Sequence, residues 1–240
     1  MRTHMLWAYG DFGKMERLCA SSFIKLGYEL NVWSYSQIKN LPEGARLCDA
    51  REIMPEDSVF LNNAGSYAAF SDIFRYAILT KIGGLYVDTD MVALQPPNKL
   101  PKTKFLISEY VETPPGNKCI NGNVIFCPEP ETGGLMEAAL IIASKFPKEQ
   151  IRWSEIGPHL LTQLLHLIPA HGYYIAPPEF ANPFNYWECP NKLLANSYTV
   201  WEGTCFVHLY NSRWKVEAVD KEADFPEGSI LYELEKAFGM

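Results

Sequence analysis

One stretch limits what this chain can fold into: residues 70–90, Phe-Ser-Asp-Ile-Phe-Arg-Tyr-Ala-Ile-Leu-Thr-Lys-Ile-Gly-Gly-Leu-Tyr-Val-Asp-Thr-Asp. Phe74, Ile78 and Ile82 recur at every fourth position with Ile73 and Ala77 beside them, so its first part reads as a helix with one apolar stripe. Asp72, Arg75 and Leu79 fall on a shared face of that helix. Gly83-Gly84 ends it, because glycine accepts the left-handed turn that other residues resist. Leu85-Tyr86-Val87 then reads as a short buried strand, with Asp88-Thr89-Asp90 where the strand stops.

Asp88 and Asp90 stand one residue apart, and on extended backbone such side chains point the same way. A buried, ionised carboxylate without a partner is very costly. A hard divalent cation is the natural partner, and oxygen ligands select magnesium, manganese or calcium over zinc. An ion held by only two carboxylates keeps positions free for phosphate oxygens, which suits a nucleoside diphosphate. Taken singly the parts are ordinary. Asp-x-Asp is commonly a solvated turn, and Asp72 with Arg75 can be a helix-surface pair worth a few tenths of a kcal/mol.

The N-terminal segment adds a strand-helix-strand unit. Residues 5–10 read as a strand, residues 14–26 as a helix closed by Gly27, and residues 28–35 as a second strand. Such a unit crosses over right-handed and pairs its strands in parallel. Ligands of open α/β sheets lie at the carboxyl ends of the strands, near which Trp7 and Tyr35 fall. Either ring can stack on a nucleobase or fill the core and its rim. Residues 38–55, broken by Pro42 and Gly44, read as a loop with a short helical turn.

Further along, residues 105–109 form a strand with the Glu109 carboxylate at its end, and Thr113-Pro114-Pro115-Gly116-Asn117 is a loop fit for a lid. Residues 121–127 form another strand; Asn123 at its mouth either hydrogen-bonds a sugar hydroxyl or belongs to a plain turn. Residues 135–144 read as a helix, and Gly157-Pro158-His159 opens a leucine-rich one in which His159 and His166 are structural or exposed. The aromatic, proline-rich segment 173–190 lines an acceptor groove or caps the sheet, the cap being the preferred role. A late apolar strand delivers His208, and residues 220–240 hold a terminal helix.

Composition sets outer bounds. The 240 residues, 48% hydrophobic and 20% charged, suit one globular domain over 1–240 with a proper core. A net charge of −7 lacks the basic footprint of a nucleic-acid binder. There is no GxxxxGK phosphate loop and no apolar run of membrane-spanning length, and residues 1–7 lack the long apolar segment expected of a secretory leader. The six cysteines form no CxxC and no Cys/His set with zinc spacing, which fits free thiols in a reducing, cytoplasmic setting.

The whole string Ser-Asp-x-x-Arg-Tyr followed by Gly-Gly-x-Tyr-x-Asp-x-Asp resembles the sugar-binding region of the family 32 glycosyltransferases. The N-terminal Leu-Trp-x-x-Gly…Met-Glu-Arg-Leu…Val-Trp-Ser-Tyr is similar to bacterial members, and His208 to Trp214 resembles the closing element over the nucleotide. The resemblance implies a GT-A architecture: an α/β fold whose mixed, mostly parallel sheet lies between helices. It also implies transfer of a sugar from a nucleotide-sugar donor, UDP-linked first of all, to a glycan or other acceptor with retention of configuration, using Mn2+ or Mg2+. On that reading Asp88, Asp90 and His208 hold the metal. Asp72 and Arg75 hydrogen-bond the donor sugar, Tyr86 packs near it, and Asn211, Ser212 and Trp214 touch the diphosphate. Glu109 is a candidate nucleophile. Two other classes use the same residues: a metal-dependent phosphohydrolase or nucleotidyltransferase, and a non-catalytic sugar-binding protein.

Overall fold

A computed structural model describes residues 1–63, 65–196, 200 and 202–239. Met240, the last residue of the expected terminal helix, lies outside the described residues. The chain runs through β1 (Arg2–Leu6), α1 (Lys14–Lys25), β2 (Glu29–Ser34), β3 (Arg46–Asp49), α2 (Ala68–Lys81), β4 (Gly84–Val87) and β5 (Met91–Ala93). It continues through β6 (Phe105–Tyr110), β7 (Lys118–Cys127), α3 (Leu135–Ala143), α4 (Leu160–Leu167), β8 (Tyr174–Ala176) and α5 (Asn191–Leu194). β9 (Phe206–His208), α6 (Asn211–Val216) and α7 (Ile230–Phe238) complete it.

Seven strands form one sheet in the order β3-β2-β1-β4-β7-β6-β8. Pairing is parallel at β1–β2, β2–β3, β1–β4 and β6–β8, and antiparallel where β7 enters beside β4 and β6. The sheet is therefore mixed and mostly parallel, as the α/β signals require. The carboxyl ends of β1, β4 and β6 share one edge, and β7 starts there. That edge is where an open α/β sheet has a crevice.

Side-chain alternation along the strands sorts the core onto both faces. Tyr86, Leu106, Ile125 and Trp33 meet Phe70, Phe74 and Ile78 of α2 and Leu161 and Leu164 of α4. Leu85, Val87, Val32 and Phe105 face Ala20 and Phe23 of α1. Met15, Leu18 and Trp214 build a third cluster with α7. Of the fourteen residues of α2, ten are buried, so this helix is a core element rather than a surface one.

Gly83 and Gly84 take φ of 71° and 100°. A Cβ on Gly83 would lie 2.5 Å from the Glu129 carbonyl carbon, and one on Gly84 2.9 Å from the Arg2 carbonyl oxygen. The turn needs glycine both for its backbone conformation and for the room.

Among the boundaries that differ from the sequence reading, the terminal helix covers only Ile230–Phe238, β7 starts already at Lys118, and three others shape the sheet. β1 begins at Arg2 and stops at Leu6, because its ladder with β2 runs from Arg2 opposite Glu29 to Leu6 opposite Trp33 and recruits the polar Thr3 and His4. The polar stretch expected to be loop contains β3, an edge strand whose exposed ends are Arg46 and Asp49. Met91–Ala93 leaves the main sheet for a two-stranded ribbon with β9.

His4 is buried beneath the Gly83 turn. Trp33 Nε1 donates to His4 Nδ1 at 3.1 Å, and since an indole N–H only donates, the ring proton sits on Nε2, 3.1 Å from the Gly83 carbonyl oxygen. Burial pushes His4 down to about 4 from 6.5. The unfolded chain therefore takes up a proton first as pH falls. The stabilising contribution of neutral His4 is complete above pH 6.5, declines below it, and is lost as pH passes through about 4, by about 3 kcal/mol in all. Urea unfolding at pH 7.5 and pH 4.5 tests this: wild type is expected to lose markedly more stability than His4→Gln, and equal losses would clear His4 as the cause.

Candidate active site

A cavity of about 640 Å³ opens at the carboxyl edge of the sheet. Its walls come from the end of β1 (Leu6 to Tyr9), from α2, from Asp88-Thr89-Asp90 after β4, from the end of β6 and from the turn after β9.

Arg75 organises one wall. Its Nη1 lies 3.1 Å from Asp72 Oδ1, and its Nη2 lies 2.9 Å from Asp88 Oδ1. The guanidinium sits over the Tyr86 ring, 5.2 Å from the centroid, and Nη2 reaches Ser71 Oγ at 3.3 Å. Two glycines make space for this cluster. A Cβ on Gly122 would fall on the guanidinium, and one on Gly157 would come within 2.6 Å of Asp72 Oδ2. The bulge in β7, where the β6 pairing jumps from Ile125 to Asn121, puts Gly122 there. Tyr76 Oη donates to the Ile156 carbonyl at 2.9 Å and fixes the segment that carries Gly157.

A second pair stands beside it. In the β5–β9 ribbon Met91 is opposite His208, and Leu209 N donates to the Asp90 carbonyl at 2.9 Å. That register brings His208 Nε2 to 3.4 Å from Asp90 Oδ2, which also accepts from Asn211 N at 2.9 Å.

Electrostatics separates the carboxylates. Burial pushes Asp88 up to about 7, with Arg75 opposing the rise and Asp90 adding to it. Burial also raises Asp72, against Arg75. For Asp90 burial acts upward too, but His208 and the Asn211 N–H outweigh it and the net shift is down. His208 is raised: burial disfavours its charge, and Asp90 more than offsets that.

Among the described residues no three histidine, cysteine, aspartate or glutamate side chains form a ready-made metal cage. The donors nevertheless fit a divalent cation in kind and in part in spacing. The 3.4 Å between His208 Nε2 and Asp90 Oδ2 exceeds a good hydrogen bond. It is close to the ~3 Å edge between adjacent ligands of an octahedral ion with bonds of about 2.1 Å. Asp88 meets Arg75 through one oxygen, which leaves the other for an ion.

Of the residues singled out in the sequence, Trp7, Asp72, Arg75, Asp88, Asp90, Glu109, His208, Asn211 and Ser212 line the cavity. Tyr35, Tyr86, Asn123 and Trp214 do not. Tyr35 is core, its hydroxyl donating to the Met54 carbonyl at 3.0 Å. Tyr86 lies beneath the cluster with its hydroxyl 2.9 Å from Ser71 Oγ. Trp214 is buried and donates to the Leu209 carbonyl at 2.9 Å. Asn123 sits behind His208, 3.1 Å from Nδ1. Strand alternation and the six-residue helix α6 turn these side chains inward. Missed from sequence were Tyr9, Tyr67, Arg152 and Trp153, all on the cavity wall, together with Asn182 behind it. Trp153, next to the Gly-Pro-His element, carried a usable signal: a tryptophan in a polar loop.

Residues 16–106 match the family described as "Glycosyltransferase sugar-binding region containing DXD motif". Asp72, Arg75, Asp88 and Asp90 fall inside that span and converge on one cavity. This segment resembles a glycosyltransferase sugar-binding region. The fold is that of solved glycosyltransferases. PaToxG glycosyltransferase is 17% identical, with a TM-score of 0.51 over 70% of each chain. The apo form of the glycosyltransferase GlyE from Streptococcus pneumoniae TIGR4 is 12% identical, with a TM-score of 0.53. All of this chain aligns there and spans 60% of the GlyE chain. No curated protein matches the sequence. No helix among the described residues is long and apolar enough to cross a membrane.

Removing one partner from a buried ion pair leaves an uncompensated charge. Arg75→Met, which strands two carboxylates, is expected to cost about 3–5 kcal/mol by urea denaturation. A loss under about 1 kcal/mol would mean that Asp72 and Asp88 are solvated.

Proposed function

We propose that this protein is a retaining hexosyltransferase that moves a sugar from a UDP-sugar to a glycan acceptor, assisted by Mn2+ or Mg2+. One observation carries the reading: the Asp72–Arg75–Asp88 cluster and the Asp90–His208 pair face the same cavity at the carboxyl edge of the sheet.

Each residue then has a task. Trp7, half-buried at the end of β1 with its indole N–H on the Gly10 carbonyl, stacks on the base. Asp72, held rigid by Arg75, accepts from donor-sugar hydroxyls, and Arg75 fixes how Asp88 is presented. Asn211 and Ser212 contact the diphosphate. Asp88, Asp90 and His208 hold the divalent cation, which when bound supplies Lewis-acid stabilisation of the negative charge on the leaving diphosphate. Glu109, oriented by Asn121 Nδ2 at 2.7 Å, is the carboxylate placed toward the sugar from β6.

The acceptor side is aromatic. Trp153 is 54% exposed at the wall of the cavity, and Tyr186 and Trp187 line it too. Flat apolar faces beside polar groups suit pyranose rings, so the acceptor is a saccharide. All six cysteines are unpaired, which supports a reducing, cytoplasmic setting.

A donor panel of UDP- and GDP-sugars with Mn2+ tests the reading. Slow release of UDP from one UDP-sugar is expected without acceptor, and Asp90→Asn should reduce it on the order of 10²-fold with the fold intact. Release of inorganic phosphate or pyrophosphate instead would make the protein a phosphohydrolase or nucleotidyltransferase. With a saccharide acceptor present, Trp153→Ala should raise the acceptor KM by about tenfold. An unchanged acceptor KM would remove Trp153 from that role.

A further inference from the structure

Behind His208 lie two asparagines that the reaction does not touch. Asn123 is 0% exposed and Asn182 4%. Asn182 follows the turn Pro178–Phe180, and its neighbour's carbonyl, Ala181 O, accepts from His208 N at 3.1 Å, so this loop is tied to β9. Asn182 Nδ2 donates to the Ser108 carbonyl at 3.3 Å. That bond fixes which end of the amide is oxygen. Asn182 Oδ1 then faces two groups: Asn123 Nδ2 at 2.7 Å and His208 Nδ1 at 3.2 Å.

His208 Nδ1 faces an acceptor, Asn182 Oδ1 at 3.2 Å, and a donor, Asn123 Nδ2 at 3.1 Å, so two ring tautomers can be paired here. A carboxamide oxygen only accepts, so Asn182 Oδ1 pairs with the ring when the proton is on Nδ1, whereas a bare Nδ1 accepts from Asn123 Nδ2 and leaves Nε2–H toward Asp90; only the first leaves Nε2 free to ligate. Asn123 cannot serve as the acceptor. Its Oδ1 has no partner at all, and flipping the amide to use it would set that oxygen against Asn182 Oδ1. The second hydrogen of Asn123 Nδ2 has an outlet in Met91 Sδ at 3.4 Å. With the ring proton on Nδ1, neutral His208 presents the bare lone pair of Nε2 to Asp90 and the cavity.

We infer that Asn182 is a positioning residue. Its amide oxygen holds His208 in the Nδ1–H tautomer and aims Nε2 as a ligand for the cation, with Asn123 bracing the amide. The inference rests on the function proposed above, because of the two tautomers the asparagines can pair only the one protonated on Nδ1 ligates through Nε2. Partners of this kind behind a ligating histidine set tautomer, orientation and ligand basicity, and losing one typically weakens metal binding 10- to 100-fold.

The test uses the full chain without added divalent cation. Long-range 1H–15N correlation spectra of the His208 ring, taken above its titration range, read the tautomer. Nδ1–H is expected in wild type, with a shift toward Nε2–H in Asn182→Leu. Titration with Mn2+ alone, followed by electron paramagnetic resonance, should show Asn182→Leu binding 10- to 100-fold more weakly. Asn182→Asp, which keeps an acceptor oxygen there, should bind within a few-fold of wild type. An Nε2–H ring in wild type, or an Asn182→Leu protein that keeps both tautomer and affinity, overturns the inference. If Asn182→Leu does not fold, the wild-type tautomer and the Asp variant still decide. Wild type that shows the Nδ1–H ring but binds no Mn2+ upholds the positioning and sinks the metal reading of the site instead.

Discussion

A guanidinium buried between two carboxylates is the constraint around which the rest is arranged. Taking charges out of water costs several kcal/mol each, and their attraction repays this only when the geometry is tight and the groups are shared. Arg75 meets that condition by touching Asp72 from one turn of its own helix and Asp88 from the end of the neighbouring strand. Apolar residues of similar size would hold α2 against β4 at least as well. The charges instead present fixed carboxylates to a cavity, which is what recognition of a polyhydroxylated, charged ligand demands.

The cluster also explains features that look incidental in isolation. Gly122 and Gly157 lack side chains because a methyl group would displace the guanidinium or the Asp72 carboxylate. The β7 bulge exists where the ladder gives way to Arg75. Gly83 and Gly84 return the chain from α2 into β4 so tightly that Arg75 and Asp88, thirteen residues apart, become neighbours. The His208 side of the cavity follows another logic. Its pieces come from four separate segments, and the short β5–β9 ribbon is what joins them.

Much of the cavity wall was legible. Asp72, Arg75, Asp88 and Asp90 lie within one helix, turn and strand, where local periodicity alone fixes relative placement, so residues 70–90 could be read as a unit. Trp7 was found from its place at a strand end, and Asn211 and Ser212 from the family resemblance. Tyr35 and Asn123, assigned to the ligand from strand ends, and Tyr86 and Trp214, assigned through the resemblance, all face the core. Residue type cannot tell inward from outward at a strand end, since both faces of this sheet are covered and alternation no longer separates apolar from polar. Trp153 and Asn182 were passed over because each sits in a loop whose path is set by distant contacts, with no period to read.

The sequence by itself determined the local grammar: which segments are helix or strand, where glycine must break them, and which acidic and basic residues sit at the sheet's edge. Those properties follow from backbone sterics and side-chain periodicity over a few residues. Only the tertiary structure decided that His208 faces Asp90 across 118 positions, that a pair of buried amides stands behind that imidazole, and that four expected ligand contacts point into the core. Hydrogen-bond register between strands far apart in the chain, and the cost of leaving a buried polar atom unpartnered, act through space, and no local pattern of residues encodes them.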